Sequence, residues 1–228
     1  MTTIRAVLLD LDGTLLDTVL DLHAAADGML AELSRSPVSV EDIRTYVGRG
    51  MVNLVKRLLA GQRNFADDPA PLQEIALESF RRHYALCNGR HARPFSGVME
   101  GLGAFRAAGL PLGIVTNKPH AFTVPLLERT GLAEFITVTV SGDSLPRQKP
   151  DPMPLVWACG RLNVSPAETL MIGDSVHDCN AARAAGCPVF LVPYGYNEGQ
   201  DVRTLNCDAI VAGIDDAARR VLSAHTPK

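Results

Sequence analysis

Short apolar runs alternate with helical patterns along most of the chain. The first run, residues 6–9, has no polar position and predicts a strand buried on both faces. Further strands are predicted at 112–115, 136–140, 169–172, 188–192 and 208–211. Segments with apolar residues at helical spacing separate these strands, and this alternation is typical of βαβ units. We therefore predict an α/β fold, a doubly wound parallel sheet with a Rossmann-like core.

One long segment departs from this alternation. Between residues 17 and 90 the pattern is helical and predicts no strand, with a loop at 61–71. We predict an α/β core formed by residues 1–16 and 91–228, and a helical cap, residues 17–90, inserted after the first strand. Two local signals lie inside the cap segment. Ser39 and Asp42 have the spacing of a capping box, and the two glycines of 47–50 break the helical pattern.

Composition limits the classes of partner. The 228 residues are 46% hydrophobic, which suffices for a packed core, and the net charge of −3 predicts no tight nucleic-acid binding. The first apolar run ends at Asp10, so we expect neither a secretory nor a membrane-spanning segment. The five cysteines form no C-x-x-C pair and indicate a reducing compartment. We expect a cytoplasmic protein; its oligomeric state is left open.

Two carboxylates follow the first predicted strand directly. Asp10 and Asp12 are two residues apart and project to the same side of an extended chain. Close carboxylates repel unless a cation or a shared proton lies between them. Gly13 permits a turn or the close approach of a ligand, and Thr14 adds a hydroxyl group. The stretch predicts a hard cation, an acid/base pair, or both; a plain turn is the alternative. A calcium loop is excluded, because Gly and Glu are missing from its sixth and twelfth positions.

Other polar residues follow later strands. Thr116 and Asn117 come after the second predicted strand of the core, and Asp174 follows another. Parallel strands joined by right-handed crossovers end on one edge of the sheet, where ligands bind. Thr116 and Asn117 also precede a predicted helix, so they are placed either to bind phosphate at its N-terminus or simply to cap it.

The order of these motifs resembles the haloacid dehalogenase-like hydrolase superfamily. The resemblance rests on 10–14, Thr116-Asn117, Lys149-Pro150 and 173–178. The helical segment between the first two motifs is similar to the helical cap of that superfamily. Within it, the stretches 47–50, 116–119 and 193–197 resemble bacterial phosphoglycolate phosphatases.

This resemblance implies roles for the strand-end residues. Asp10 is the expected nucleophile and forms an aspartyl phosphate. Asp12 is expected to protonate the leaving alkoxide and then to activate water, which requires a raised pKa. Lys149 is expected to bridge Asp10 and the phosphate as a fixed positive charge. Oxygen ligands and phosphate chemistry indicate Mg²⁺, held by the carboxylates of Asp10 and Asp174 and the backbone carbonyl of Asp12.

Further residues are expected to support this site. Thr116 and Asn117 are expected to bind the phosphate, with Lys118 as a weaker candidate. Asp178 is expected to support Asp174 from one helical turn away, although an acidic group at a helix N-terminus is the alternative. His177 is interpreted as an ordinary surface or hinge residue. Gly13, Thr14 and Ser175 complete the supporting set.

Arg49 is the candidate for substrate recognition in the cap. It lies between two glycines, and a guanidinium can bind a carboxylate through two hydrogen bonds. Phosphoglycolate ends in a carboxylate, so this role is chemically suitable. An exposed arginine in a turn is the alternative.

The resemblance predicts a Mg²⁺-dependent phosphomonoester hydrolase that acts on a small phosphorylated metabolite, with 2-phosphoglycolate as the leading substrate. A phosphatase of another small ester, such as a sugar phosphate or nucleotide, and a β-phosphoglucomutase-like phosphotransferase are the alternatives. A non-catalytic binding protein on the same fold would be favoured if an essential group were missing. Asp10, Asp12, Lys149 and Asp174 are all present.

Overall fold

A six-stranded parallel sheet forms the centre of the computed structural model, which describes residues 3–62 and 70–224. The strand order is β5-β4-β1-β6-β7-β8, and a separate two-stranded antiparallel ribbon pairs β2 with β3. The strands are β1 (Ala6–Leu9), β2 (Leu16–Asp17), β3 (Arg93–Pro94), β4 (Leu112–Val115), β5 (Ile136–Val140), β6 (Thr169–Gly173), β7 (Val189–Leu191) and β8 (Ala209–Ile210).

Nine α-helices lie within the described ranges. They are α1 (Val19–Glu32), α2 (Val40–Tyr46), α3 (Gly50–Ala60), α4 (Ala70–Cys87), α5 (Val98–Ala107), α6 (His120–Arg129), α7 (Met153–Leu162), α8 (Val176–Ala185) and α9 (Ile214–Ser223). Among the described residues, no helix combines the length and the apolar character needed to cross a membrane.

Strand β1 explains why the sheet is covered on both faces. Its four residues are fully buried, and alternate side chains enter different clusters. Val7 and Leu9 belong to a cluster with residues of α5, α6 and α9. Leu8 belongs to a second cluster with residues of α7 and α8. Because successive side chains of a strand point to opposite faces, β1 lies between two helical layers. The predicted doubly wound parallel sheet is confirmed.

Helices α1 to α4 pack around a third hydrophobic cluster. Met29, Leu58 and Phe80 contribute from three of these helices, and Phe122 joins them from α6. This separate cluster favours the proposed division between a core and a cap, which stays a prediction. The capping box of Ser39 and Asp42 is present at the start of α2.

The boundaries of the cap segment differ from the prediction. Helix α4 already begins at Ala70, so the end of the predicted loop 61–71 is helical, while 63–69 lie outside the described residues. The ribbon of β2 and β3 was not predicted; it pairs Leu16 with Pro94 and Asp17 with Arg93. Strands of two residues are too short to show an alternation of apolar and polar positions in the sequence. The ribbon joins the two connections between the helical segment and the sheet.

A buried carboxylate fixes the second connection. Asp21 of α1 is fully buried and accepts hydrogen bonds from the backbone N–H groups of Gly89, His91 and Ala92, at 2.7, 2.8 and 3.2 Å. The chain leaving α4 is therefore held against α1 immediately before it re-enters the core.

Candidate active site

The carboxyl ends of β1, β4 and β6 meet at one cavity beneath α1, α3 and α4. It is lined on the side of the sheet by polar residues that include Asp10, Asp12, Thr116, Lys149 and Asp174. Its other wall is mainly apolar and comes from the helical segment, with Leu22, Val47, Met51, Leu54, Phe80 and Tyr84. The structure therefore places a charged floor opposite an apolar roof.

Lys149 occupies the centre of the charged floor. Its Nζ atom donates to Oδ1 of Asp10 at 2.7 Å, to Oδ1 of Asp178 at 2.6 Å and to the carbonyl oxygen of Val115 at 2.5 Å. Burial opposes the charge of this lysine, but the carboxylates of Asp10 and Asp178 outweigh it and hold the pKa of Lys149 above its usual value. Lys149 is thus a fixed ammonium whose three N–H groups all have acceptors.

Asp10 lines the cavity and has one carboxylate oxygen without a hydrogen bond from the described part of the chain. Its Oδ1 atom accepts from Lys149, whereas Oδ2 receives no hydrogen bond from any residue in the described ranges. Burial raises the pKa of Asp10 to about 6, with Lys149 lowering it and Asp178 raising it further. Lys149 binds one oxygen of the carboxylate and so fixes the direction of the other. A carboxylate held in this way, with one oxygen open to a ligand, is suited to nucleophilic attack.

Asp174 is held by residues next to the first carboxylates. Thr14 donates its hydroxyl to Oδ1 at 2.7 Å, and the backbone N–H of Tyr196 donates to Oδ2 at 2.6 Å. Gly13 has a φ of +90°, and a Cβ there would lie 2.5 Å from Oδ2 of Asp174. A side chain at residue 13 would therefore displace Asp174, which gives the D-x-D-G-T stretch a structural reason for both its glycine and its threonine.

Three buried carboxylates form a site that fits a cation. Asp10, Asp174 and Asp178 each offer an oxygen, and these oxygens all lie within 4.8 Å of one another. Burial raises the pKa of Asp174 well above its ordinary value, and Asp178 and Asp10 add to this by repulsion. Since Lys149 is shared by two of the three carboxylates, negative charge remains uncompensated. A divalent cation with oxygen ligands would neutralise it.

Asp178 is already saturated by protein donors. Lys149 donates to its Oδ1, while Ser175 donates its backbone N–H and its hydroxyl to Oδ2, and the N–H of Asp174 also points there. Ser175 and Asp178 form a capping box at the start of α8. This arrangement favours the supporting role for Asp178, since Asp10 and Asp174 have more capacity to bind a cation. The same contacts also agree with the alternative, in which Asp178 is simply an acidic residue favoured at a helix N-terminus.

Asp12 has a different environment. Thr18 donates its hydroxyl to Oδ1 at 2.7 Å, and Lys118 Nζ lies 3.0 and 3.1 Å from the two carboxylate oxygens. Lys118 also donates to the hydroxyl of Tyr84 at 2.5 Å. The sequence indicated Lys118 only as a weaker candidate for phosphate binding. Because Lys118 follows Thr116 and Asn117, its place in the sequence suggests a residue of the site. Its contact with Asp12 could not be predicted, because that contact depends on the fold.

Thr116 and Asn117 lie at the cavity, but not at a helix terminus. Strand β4 ends at Val115 and α6 begins at His120, so the expected placement at a helix N-terminus, and with it the capping alternative, is wrong. Thr116 instead accepts the N–H of Lys118 at 3.2 Å in the turn after β4. Asn117 donates to the carbonyl oxygens of Lys149 and Gly48, at 2.9 and 3.1 Å. It thereby connects the sheet edge to the helical segment.

Arg49 contacts a protein carboxylate and does not line the cavity among the described residues. Its guanidinium donates to both carboxylate oxygens of Glu198, at 2.9 and 3.2 Å. Arg57 of α3 donates to Glu198 at 2.7 Å and to the carbonyl oxygen of Tyr46, also at 2.7 Å. In this conformation Arg49 therefore belongs to a cluster that joins α3 to the loop after β7.

Glu198 and His177 were not identified correctly from the sequence. Burial would raise the pKa of Glu198, but His177, Arg57 and Arg49 outweigh it and lower this pKa to about 2. His177 is 7% exposed and lines the cavity, so the surface alternative of its interpretation is wrong, while the hinge alternative stays a prediction. Its Nε2 atom lies 3.7 Å from Glu198. The contact of His177 with Glu198 and that of Glu198 with Arg57 join α8, the loop after β7 and α3, and such contacts depend on tertiary packing.

Comparison with known proteins agrees with the fold. Residues 7–192 match the family model of the haloacid dehalogenase-like hydrolases. The chain belongs to the haloacid dehalogenase-like hydrolase family. It is 52% identical to a phosphoglycolate phosphatase of Thiobacillus denitrificans, with 97% of both chains covered. It is 49% identical to a phosphoglycolate phosphatase of Nitrosospira multiformis, with 96% of both covered.

Solved structures of related proteins have the same fold. The crystal structure of a predicted phosphoglycolate phosphatase from Haemophilus somnus is 29% identical, with a TM-score of 0.88 over 96% of this chain and 99% of that one. CbbY from Rhodobacter sphaeroides, solved with phosphate, is 20% identical with a TM-score of 0.77, covering 94% of this chain and 96% of that one; it supports the fold alone. The expected superfamily is confirmed.

Proposed function

We propose that this chain is a Mg²⁺-dependent phosphatase that hydrolyses 2-phosphoglycolate to glycolate and phosphate. The observation that carries the chemistry is Asp10, which lines the cavity with one oxygen bound by Lys149 and the other receiving no hydrogen bond from a described residue. The substrate is suggested by the curated relatives, which bear the name phosphoglycolate phosphatase at about half identity over nearly the whole chain.

In the proposed first step, an oxygen of Asp10 attacks phosphorus and the bond from phosphorus to the ester oxygen breaks. Asp12 gives its proton to the departing alkoxide, so glycolate leaves as a neutral alcohol at that oxygen. Lys149 holds Asp10 in place and neutralises charge next to the phosphoryl group. We expect the hydroxyl of Thr116, which lines the same cavity, to bind a phosphoryl oxygen.

In the proposed second step, Asp12 takes a proton from water, which attacks phosphorus and releases phosphate from Asp10. Asp10, Asp174 and the backbone carbonyl of Asp12 would hold Mg²⁺, which supplies positive charge to the phosphoryl oxygens. Asp178 with Ser175 supports this ligand set, and Gly13 and Thr14 keep Asp174 in position. The apolar roof formed by the helical segment excludes water while the ester is bound.

Steady-state phosphate release tests this proposal. We would compare 2-phosphoglycolate with a hexose phosphate, a nucleoside monophosphate and p-nitrophenyl phosphate, with Mg²⁺ present and after chelation. We expect kcat/KM for 2-phosphoglycolate to exceed the others by about 100-fold, a difference of about 2.7 kcal/mol in transition-state binding. Chelation should abolish the activity, and Mg²⁺ should restore it.

Asp10→Asn is the decisive variant, because it preserves shape and removes the nucleophile. Asp215→Asn on α9 is its matched control, since that carboxylate pairs with Arg219 on the exposed side of the core. Equal rates on all four esters that disappear in Asp10→Asn would retain the phosphatase chemistry and reject the substrate. Transfer of phosphate to a sugar phosphate would favour a phosphotransferase. Unchanged activity in Asp10→Asn would reject the mechanism.

A further inference from the structure

The cavity needs a second cationic group if it binds a substrate with a carboxylate beside its phosphate. Among the residues described along its walls, Lys118 and Lys149 are the two lysines, and no arginine is present. All three N–H groups of Lys149 are used by Asp10, Asp178 and Val115. Lys118 is the other ammonium, and its Nζ atom contacts two groups among the described residues, the carboxylate of Asp12 and the hydroxyl of Tyr84. Because the two oxygens of Asp12 can share one N–H group, another N–H group of Lys118 is left for a ligand. Arg49 contacts Glu198 outside the cavity wall.

We propose that Lys118, held by Tyr84, binds the carboxylate of the substrate and sets the preference for α-carboxylated phosphate esters. This inference rests on the proposed function and assigns the carboxylate subsite to a residue of the sheet edge. It also replaces Arg49, the residue that the sequence suggested for the same role.

The position of Lys118 fits the dimensions of such a substrate. Asp12 has to approach the ester oxygen in order to protonate it, and one methylene group separates that oxygen from the carboxylate of phosphoglycolate. Lys118 Nζ lies 3.0 Å from Oδ1 of Asp12. A cation adjacent to the proton donor is therefore located where the substrate carboxylate falls when its phosphate is next to Asp10.

Tyr84 fixes the direction of the lysine. Its side chain is fully buried, and its ring packs against Phe80 and Phe122, with centroid distances of 5.7 and 4.9 Å. Its hydroxyl accepts a hydrogen bond from Lys118, whose Nζ also lies 4.8 Å from the centre of the ring. Lys118 is itself only 6% exposed. An ammonium that is desolvated and held in one direction interacts more strongly with an anion than one in water does.

The remaining wall increases the selectivity of this contact. Leu22, Met51, Leu54 and Phe80 have apolar side chains and offer no partner for a hydroxyl-rich or charged group. A small ester with one carboxylate satisfies Lys118 and leaves nothing polar against the apolar roof. A sugar phosphate would bury several hydroxyl groups there without partners, which is costly.

The test compares two substrates that differ only in the group next to the ester. We would measure kcat/KM for 2-phosphoglycolate and for ethyl phosphate, in which a methyl group replaces the carboxylate. Lys118→Met keeps the length of the side chain and removes its charge. Because Lys118 also contacts Asp12, both rates should fall; the ratio between the substrates isolates the carboxylate contact. We expect this ratio to fall by about 30-fold, as for the loss of a charged hydrogen bond.

Two further variants keep the inference falsifiable. Tyr84→Phe removes only the hydroxyl that orients Lys118 and should reduce the same ratio of kcat/KM values by a smaller factor. This variant provides a test if Lys118→Met folds poorly. Arg49→Gln tests the competing residue. An unchanged ratio in both Lys118→Met and Tyr84→Phe, or a loss of the ratio in Arg49→Gln instead, would overturn the assignment. If the parent protein shows no preference between the two substrates, the proposed substrate itself has failed.

Discussion

Replacing Glu198 by glutamine removes the carboxylate that neutralises a buried guanidinium group. The Arg57 and Glu198 side chains are each 3% exposed and lie 2.7 Å apart. Breaking one side of such a buried ion pair costs about 3–5 kcal/mol, because the remaining charge is left without a partner. The contact with Arg49 is half exposed on the arginine side and adds at most about 1 kcal/mol.

Glutamine retains one acceptor oxygen, so we expect Glu198→Gln to lower the free energy of unfolding by about 3 kcal/mol. For a chain of this size, this corresponds to a fall in Tm of about 6–12 °C. Urea unfolding should be followed by far-UV circular dichroism and by the fluorescence of Trp157, the single tryptophan of the sequence, on α7.

A double-mutant cycle separates the ion pair from other effects of the substitution. Arg57→Met removes the buried charge, and the double variant should lose much less stability than the sum of the two single variants. Glu134→Gln, from the exposed pair with Arg106, is the matched control and should change stability by less than about 0.5 kcal/mol. A coupling energy below about 0.5 kcal/mol, or a cost equal to that of the control, would refute the reasoning.

Three other expectations follow from the same structure. The pKa of Glu198 is lowered from 4.5 to about 2, so its stabilisation is fully present above pH 4.5 and is lost as the pH falls towards about 2; the difference in Tm between the parent and Glu198→Gln should narrow over this range. Gly13→Ala should weaken activation by Mg²⁺ because its Cβ collides with Asp174, whereas Gly109→Ala, with a similar φ and open space, should show only a backbone cost of about 1–2 kcal/mol in urea unfolding. Asp21→Asn puts an amide against three backbone donors and should lower the free energy of unfolding by about 2 kcal/mol. It should not change the Mg²⁺ concentration needed for half-maximal activity. A free energy of unfolding within about 0.5 kcal/mol of the parent, about the limit for a neutral surface change, would contradict this expectation.

The elements that the sequence predicted are those with local signals. The apolar run of β1 is continuous because both of its faces are buried, and Ser39 and Asp42 form their capping box within four residues of chain. Strands β2 and β3 have no such signal, because each has two residues and depends on a partner far away in the chain. The helices of the inserted segment could therefore be predicted from the sequence, but the ribbon that attaches the segment to the sheet could not.

The same distinction applies to the site. Asp10, Asp174 and Lys149 were predicted to share a site because each lies in a recognisable motif, and the structure brings their side chains to one cavity. The partners of Arg49 and Lys118 could not be predicted. Glu198 and Tyr84 reach them from distant loops and helices, and nothing in the neighbouring residues specifies those contacts.

The position of β1 in the sheet has a consequence for the order of assembly. This strand is made first, yet its two neighbours pair Leu112 and Thr169 with it, more than a hundred residues later. Pairings so distant in sequence close slowly, because a long loop must be ordered before the contacts form. A nascent chain that ends before β6 leaves one edge of a wholly apolar strand unpaired, and such edges invite association with other chains. The strand that precedes the proposed nucleophile is therefore protected on both edges only after β6 has been made.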